Sequence, residues 1–184
     1  MRDKIIQSAG EQIRKYGLRR FTIDDIASAL GISKKTVYKY FDSKKQMISA
    51  VVENHLEMEK RRTLEALETK GGWLDKFSSV IFCDIEEQVP ADLLEELQRF
   101  FPEEWNKKET ITEFKREQVR ELLAQGIKDG NVRTDIHPAV IGLTIEKTID
   151  AIFDYKFLKQ HEITINQAME DMKKVVLYGI LKRE

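Results

Sequence analysis

The chain has 184 residues, 41% of them hydrophobic and 34% charged, with a formal net charge of −1. That length fits one large domain or two small ones around a substantial core. A single cysteine, Cys83, excludes an internal disulfide framework, and no apolar run approaches the roughly 18 residues of a membrane-spanning helix.

The opening residues, Met1-Arg2-Asp3-Lys4-Ile5-Ile6-Gln7, lack the apolar stretch of a secretory signal. A cytoplasmic location with no membrane partner is therefore expected. His55, His137 and His161 stand far apart in the chain, which argues against a structural zinc site. There is no Ser-His-Asp arrangement, no phosphate-binding Gly-rich loop and no paired His-Glu motif. No catalytic residue, metal ligand or cofactor is expected, and the chain does not read as an enzyme. Cys83 lies in the apolar segment Val80–Ile85 and reads as a packed small residue. A redox sensor that bridges to a partner chain is the other reading.

Three Pro and nine Gly fall at intervals between long stretches rich in Glu, Lys, Leu, Ile and Ala. That punctuation predicts an all-α chain of about nine helices. Ile5, Ala9, Ile13 and Tyr16 give the first helix, over about 2–16, one apolar face, and Gly17 stops it. Thr22, with Asp25 three residues on, opens a second helix whose inward residues are Ile26, Ala27 and Leu30. Ser33 caps a third helix over 34–41. Ser43 caps a long fourth helix with Gln46 completing a capping box. Its stripe is Met47, Ile48, Val51, Val52 and His55.

After Gly71-Gly72, Trp73, Phe77, Val80, Ile81 and Ile85 space a fifth helix. Pro90 opens a sixth, carrying Leu93, Leu94, Leu97 and Phe100-Phe101 up to Pro102. A seventh spans about 106–129 and ends at Gly130. Pro138 starts an eighth that is expected to reach about Leu158, and Thr164 with Gln167 caps a ninth that runs close to the C-terminus.

The segment 22–41 carries the chemistry. Ala27, Gly31 four residues on, and Val37 six beyond that are spaced as in a helix-turn-helix. The small residue lets the second helix cross closely, the glycine turns the chain, and the valine fills the angle. The second helix of such a unit lies in the DNA major groove. Lys34, Lys35 and Lys39 project from it, and Ser33, Thr36, Tyr38 and Tyr40 add hydroxyls suited to phosphate oxygens and base edges. Lys44 opens the fourth helix, where its ammonium and free backbone amides would hold a phosphate. Val37 and Phe41 read as core.

The run from Ile26 to Phe41 (Ile-Ala-Ser-Ala-Leu-Gly-Ile-Ser-Lys-Lys-Thr-Val-Tyr-Lys-Tyr-Phe), with Gly17, Phe21-Thr22-Ile23 before it and Ser43-Lys44 after, resembles the amino-terminal domain of the tetracycline-repressor (TetR) family. The close match covers about residues 1–52, and the remainder resembles the family in layout. Where Lys35 stands the family usually has a small residue, so this lysine adds a contact or merely tolerates solvent.

The resemblance implies a helix-turn-helix DNA-binding domain at 1–46 and a ligand-binding and dimerisation domain at 47–184. It implies a homodimeric regulator, in the first instance a repressor, of a double-stranded DNA operator, with a small-molecule effector. DNA contact is carried over to Thr22, Ser33, Lys34, Lys35, Thr36, Tyr38, Lys39, Tyr40 and Lys44. The other reading is a helical small-molecule-binding or protein-interaction module without operator binding, against which the basic, hydroxyl-rich third helix argues.

For the effector, family layout points to the aromatic residues Trp73, Phe77, Phe82, Phe100, Phe101, Trp105, Phe114 and Phe153, which would suit an apolar or aromatic ligand. Aromatic stripes at helical spacing serve equally as plain core, and Phe100, Phe101 and Trp105 flank Pro102 as surface-lid residues would. Glu146 and Asp150, one turn apart, would favour a cation from an inward face or form a solvated acid face. For the dimer, Ile141, Ile145, Ile149 and Ile152 form one stripe, and Met169, Met172, Val176 and Ile180 another. Val140, Leu143 and Phe153 lie on other faces of the same helix, which must then contact both its own core and something else. Two helices from each copy would make a four-helix interface.

The net charge conceals an asymmetry. Residues 1–48 hold 11 Lys or Arg against 5 Asp or Glu, a surplus of +6, and the other 136 hold 20 against 27, or −7. A basic head suits phosphates.

Overall fold

In a computed structural model that describes residues 1–68, 70–82 and 90–181, the chain is all-α. Its helices are α1 (Arg2–Tyr16), α2 (Ile23–Leu30), α3 (Lys34–Tyr38), α4 (Lys44–Glu68), α5 (Trp73–Ile81), α6 (Ala91–Phe100), α7 (Pro102–Asn106), α8 (Lys108–Lys128), α9 (Pro138–Ile152), α10 (Tyr155–His161) and α11 (Ile165–Ile180). Among the described residues there is no strand, only an isolated antiparallel bridge between Val132 and Leu181. Cys83 and Ile85 lie outside the described residues.

The chain forms two compact units, one of residues 1–58 with 92–108 and one of 59–91 with 109–184. The first gathers α1–α3 around the first turns of α4. Ile5, Ile6, Ala9 and Ile13 of α1 meet Leu18, Phe21, Ile26, Ala27, Val37, Phe41, Met47, Ile48 and Ala50 in one buried cluster. Each is an apolar side chain withdrawn from water, worth about 1.5–3 kcal/mol for the larger ones. Leu93, Leu97 and Phe101, spaced by four along α6 and just past it, pack on that cluster. Two stripe residues fall outside it: Tyr16 is exposed with the Lys15 ammonium 4.9 Å from its ring centre, and His55 is exposed.

In the second unit α9 packs on α11 and α10. The expected single helix from Pro138 to Leu158 is two, because Asp154 accepts the Lys156 backbone N–H at 2.9 Å and caps a new helix, α10. Thr164 and Gln167 form the reciprocal cap of α11 as read from sequence. The turn after α8 is tied to the end of α11, with Arg133 N–H donating to the Ile180 carbonyl at 2.9 Å.

Candidate nucleic-acid interface and effector region

The helix-turn-helix is assembled by short-range chemistry. Thr22 Oγ accepts the Asp25 N–H at 3.2 Å, and the Asp25 carboxylate accepts both the Thr22 N–H and its hydroxyl at 2.7 Å. These hydrogen bonds, the side-chain one foremost, hold the Asp25 carboxyl below the usual carboxylate range. Gly31 turns the chain at φ 62°, ψ 32°. A Cβ there would meet nothing within 4 Å, so glycine is needed for the left-handed backbone and not for space. Ser33 then caps α3, its Oγ accepting the Thr36 N–H at 3.1 Å and lying 3.0 Å from the Thr36 hydroxyl.

The regular part of α3 ends at Tyr38, three residues before the expected end. The chain continues as a turn in which the Tyr40 and Phe41 N–H groups reach back to the Val37 carbonyl. Val37 and Phe41 are buried, while Lys35, Tyr38, Lys39 and Tyr40 are exposed. Tyr38 keeps 50% of its surface in solvent. Lys34 is exposed and paired with Asp24 at 2.6 Å.

Lys44 is placed differently from the expectation. Its ammonium turns inward and donates to the carbonyls of Arg19 at 2.8 Å and Phe21 at 2.7 Å, above the Phe21 ring. Burial draws its pKa below the ordinary lysine value. The reason is local: the 19–21 turn leaves carbonyls without helical partners, and a flexible ammonium at the start of α4 reaches them.

Sequence reasoning missed what braces this head. Glu96 of α6 accepts the Arg19 N–H at 3.3 Å, and a Cβ on Gly17 (φ 86°) would stand 2.9 Å from its carboxylate. The Arg19 guanidinium lies 4.5 Å from the Phe100 ring centre. Lys45 pairs with Glu103 at 2.7 Å, and Lys107 with Glu53 and Ser49. The signal for α6, Leu93-x3-Leu97-x3-Phe101, was present, but periodicity does not name the partner.

The eight aromatic residues are divided between the two units. Phe100, Phe101 and Trp105 belong to the unit that holds the helix-turn-helix: Phe100 is exposed beside Arg19 and Arg99, Phe101 packs on the cluster above, and Trp105 is half-buried under the Lys108 ammonium. The other five lie in the second unit. Phe77 and Phe82 are buried, and Phe114 and Phe153 are half-buried. Trp73 stacks on Phe77 with ring centres 4.8 Å apart and donates Nε1–H to the Leu122 carbonyl at 2.6 Å. Glu146 faces cations, Arg116 and Lys147, and Asp150 lies 3.4 Å from Lys147.

The expected dimer stripes are turned inward. Ile141, Ile145, Ile152, Met169, Met172, Val176 and Ile180 are all buried within the single chain, and Ile149 is half-buried. Area already withdrawn from water inside one copy is not available to a second. The apolar residues that α9 and α11 leave in solvent are Val140, Leu143, Val175 and Tyr178, the last two 73% and 75% exposed. A Cβ on Gly142 or Gly179 would meet nothing within 4 Å.

Among the described residues no three side chains are grouped to hold a metal ion, and no helix is long and apolar enough to cross a membrane.

The profile of bacterial regulatory proteins of the tetR family matches residues 5–51. The HTH-type transcriptional repressor KstR2 of Rhodococcus jostii is 30% identical over 150 residues, 73% of this chain and 69% of that protein. The chain belongs to the TetR family. As a TetR-family protein it is a transcriptional regulator with a DNA-binding helix-turn-helix, and repressors are among its relatives. The TetR-family likeness extends along the chain: the HTH-type transcriptional regulator YvaF of Bacillus subtilis is 27% identical over 190 residues, 100% of this chain and 97% of that one. A transcriptional regulator from Saccharomonospora viridis, solved in complex with choline, shares the fold at TM-score 0.76 and 16% identity, covering 99% of this chain and 98% of its own.

Proposed function

We propose that the protein is a homodimeric, effector-responsive repressor that reads a palindromic operator through α3. Residues 1–46 supply the reading head, and residues 47–184 the effector and dimer regions. Bases and phosphates are met by Thr22, Ser33, Lys34, Lys35, Thr36, Tyr38, Lys39 and Tyr40, with Lys44 holding the head in shape. The observation that carries this is the presentation of α3: Val37 and Phe41 anchor it in the core while Lys35, Tyr38, Lys39 and Tyr40 stand in solvent. A helix fixed from behind and basic in front suits a major groove.

The dimer face is assigned to Val140, Leu143, Val175 and Tyr178, because exposed apolar side chains on adjacent helices mark protein contacts. Two copies would set their α3 helices about 34–36 Å apart for half-sites one turn apart. An effector that prefers a dimer with another spacing would shift the population away from the DNA-binding state. That the Saccharomonospora viridis neighbour holds choline supports a small-molecule effector here.

The test is an electrophoretic mobility shift on the DNA flanking the protein's own gene. A saturable, salt-sensitive complex with a palindrome there is the expected result. Binding that shows no preference for any site in that DNA would sink the proposal.

A further inference from the structure

Along α8 the inward stripe steps by four: Ile111, Lys115, Val119, Leu123. Its three apolar members are buried, and the lysine in their row keeps only 19% of its side chain in solvent. Its ammonium pairs with Glu59 of α4, whose side chain is 27% exposed. One turn along α4, Thr63 has no exposed surface, and its hydroxyl is spent on the Glu59 carbonyl at 2.9 Å. The next residue of α8, Arg116, pairs with Glu113 of its own helix and points to Glu146 of α9. Its Nε lies 3.0 Å from the carboxylate, yet the buried N–H is not aligned to a hydrogen bond.

Stability alone does not account for Lys115. Withdrawing an ion pair from water costs about as much as its attraction returns, and apolar replacements of similar volume are often neutral or stabilising. Leucine at 115 would extend the stripe without interruption. Ligand sites have the opposite requirement: an apolar lining with a few placed polar groups that fix orientation. Lys115 and Arg116 are already paired with Glu59, Glu113 and Glu146, so the pointer to an anion is the buried Arg116 Nε–H, which has no aligned acceptor. The apolar neighbours Ile111, Val119 and Phe114 favour a hydrocarbon remainder.

We infer that Lys115 is the headgroup anchor of the effector site, for a singly charged carboxylate on an apolar tail, and that Glu59 is its built-in competitor. The inference rests on the effector-responsive reading above and specifies the effector's chemistry. The incoming carboxylate takes the place of Glu59 on the ammonium, so that binding exchanges one ion pair for another and releases a side chain of α4.

The experiment is isothermal titration of the full chain with three ten-carbon probes below their micellar concentrations: decanoate, decan-1-ol and decyltrimethylammonium. Each is run on the wild type, Lys115→Met, Lys115→Gln and Glu59→Gln, with a thermal melt to confirm that each variant is folded. Decanoate is expected to bind at least tenfold tighter than decanol, and the quaternary ammonium weakest. Both Lys115 variants bring decanoate to the level of decanol, and Glu59→Gln tightens decanoate several-fold by removing the competitor. Preference for decyltrimethylammonium with its loss in Glu59→Gln would overturn the inference and make Glu59 the anchor of a cation site. Equal binding of the three probes, or binding of none, would overturn it as well. A mobility shift on the same samples separates the two readings. Operator binding without headgroup preference leaves the regulatory proposal standing, and headgroup preference without operator binding removes that proposal and keeps the site.

Discussion

Lys44 and Phe21 are joined twice: the ammonium donates to the Phe21 carbonyl at 2.7 Å and stands 4.2 Å from the centre of its ring. With the Arg19 carbonyl at 2.8 Å as a further acceptor, this side chain ties the start of α4 to the turn before α2. A lysine committed to internal carbonyls contributes to DNA binding through the shape of the head and releases few counterions. Lys44→Gln is therefore expected to weaken operator binding while leaving the slope of log affinity against log salt nearly unchanged. Lys39→Gln, on the exposed end of α3, is expected to reduce that slope by about 0.9, the value of one phosphate contact. Operator affinity measured over a salt series decides between them. A full unit of slope lost with Lys44→Gln would return this residue to the phosphate-binding set.

Two carboxylates of the first unit, Asp25 and Glu53, predict an acid-sensitive fold. Asp25 is held below the carboxylate range chiefly by the Thr22 side chain, and Glu53 chiefly by its hydrogen bond from Lys107. A carboxyl lowered in the folded state stabilises above its unfolded pKa, near 3.9 for Asp and 4.3 for Glu. That contribution disappears as pH falls through the folded value. Wild-type thermal stability is expected to drop on acidification from about pH 5 downward, and Asp25→Asn to show a shallower drop. Thr22→Ala should cost about 1 kcal/mol at neutral pH through the lost cap. Melting curves across pH check both, and an Asp25→Asn curve parallel to the wild type would remove Asp25 from this account.

Gly126 shows where a glycine is needed for space. It is buried inside α8, and a Cβ there would fall on the indole of Trp73, the ring that stacks on Phe77 and donates to the Leu122 carbonyl. Gly126→Ala, which improves helix propensity at an open site, is expected here to destabilise by about 1–3 kcal/mol through overpacking. Tryptophan fluorescence should shift to the red as Trp73 is displaced. Trp73→Phe in the Gly126→Ala background should recover part of the loss. A more stable Gly126→Ala protein would show that the ring moves freely.

Local chemistry was legible in the sequence and long-range pairing was not. The caps at Thr22, Ser33 and Thr164, the turn at Gly31 and the buried Val37 and Phe41 follow from residues within a few positions of one another. The Ser43 cap was legible too, although Gln46 returns to the Asp42 N–H at 2.6 Å and not to Ser43. Asp154 was hidden because an aspartate inside an apolar periodic run looks like a solvated residue until it is seen capping α10. Glu96 and Arg19 are 77 positions apart, and nothing in either neighbourhood announces the other. Lys115 escaped because a search for apolar spacing skips the charged member of the stripe. On α9 and α11 the stripes were read correctly as apolar, but a pattern does not say which side faces the chain's own core.

That last ambiguity yields the sharpest test of assembly. Met172 and Ile145 are buried within the chain, whereas Leu143 on α9 and Val175 on α11 are exposed. Met172→Glu places an unpaired charge in the core and is expected to unfold the second unit or lower its stability by several kcal/mol. Leu143→Glu with Val175→Glu touches no core position, and helix content and melting cooperativity should survive. In a two-fold interface each substitution occurs in both copies, so the two changes bring four carboxylates into the same apolar contact. Light scattering on a sizing column is expected to show a dimer for the wild type and a monomer for the double variant at micromolar concentration. Operator affinity should fall steeply with it, because the second half-site then has to recruit its reader from bulk solution and no longer at the high effective concentration a linked copy supplies. A double variant that stays dimeric and keeps its operator affinity would show that Val140, Leu143, Val175 and Tyr178 are not the interface.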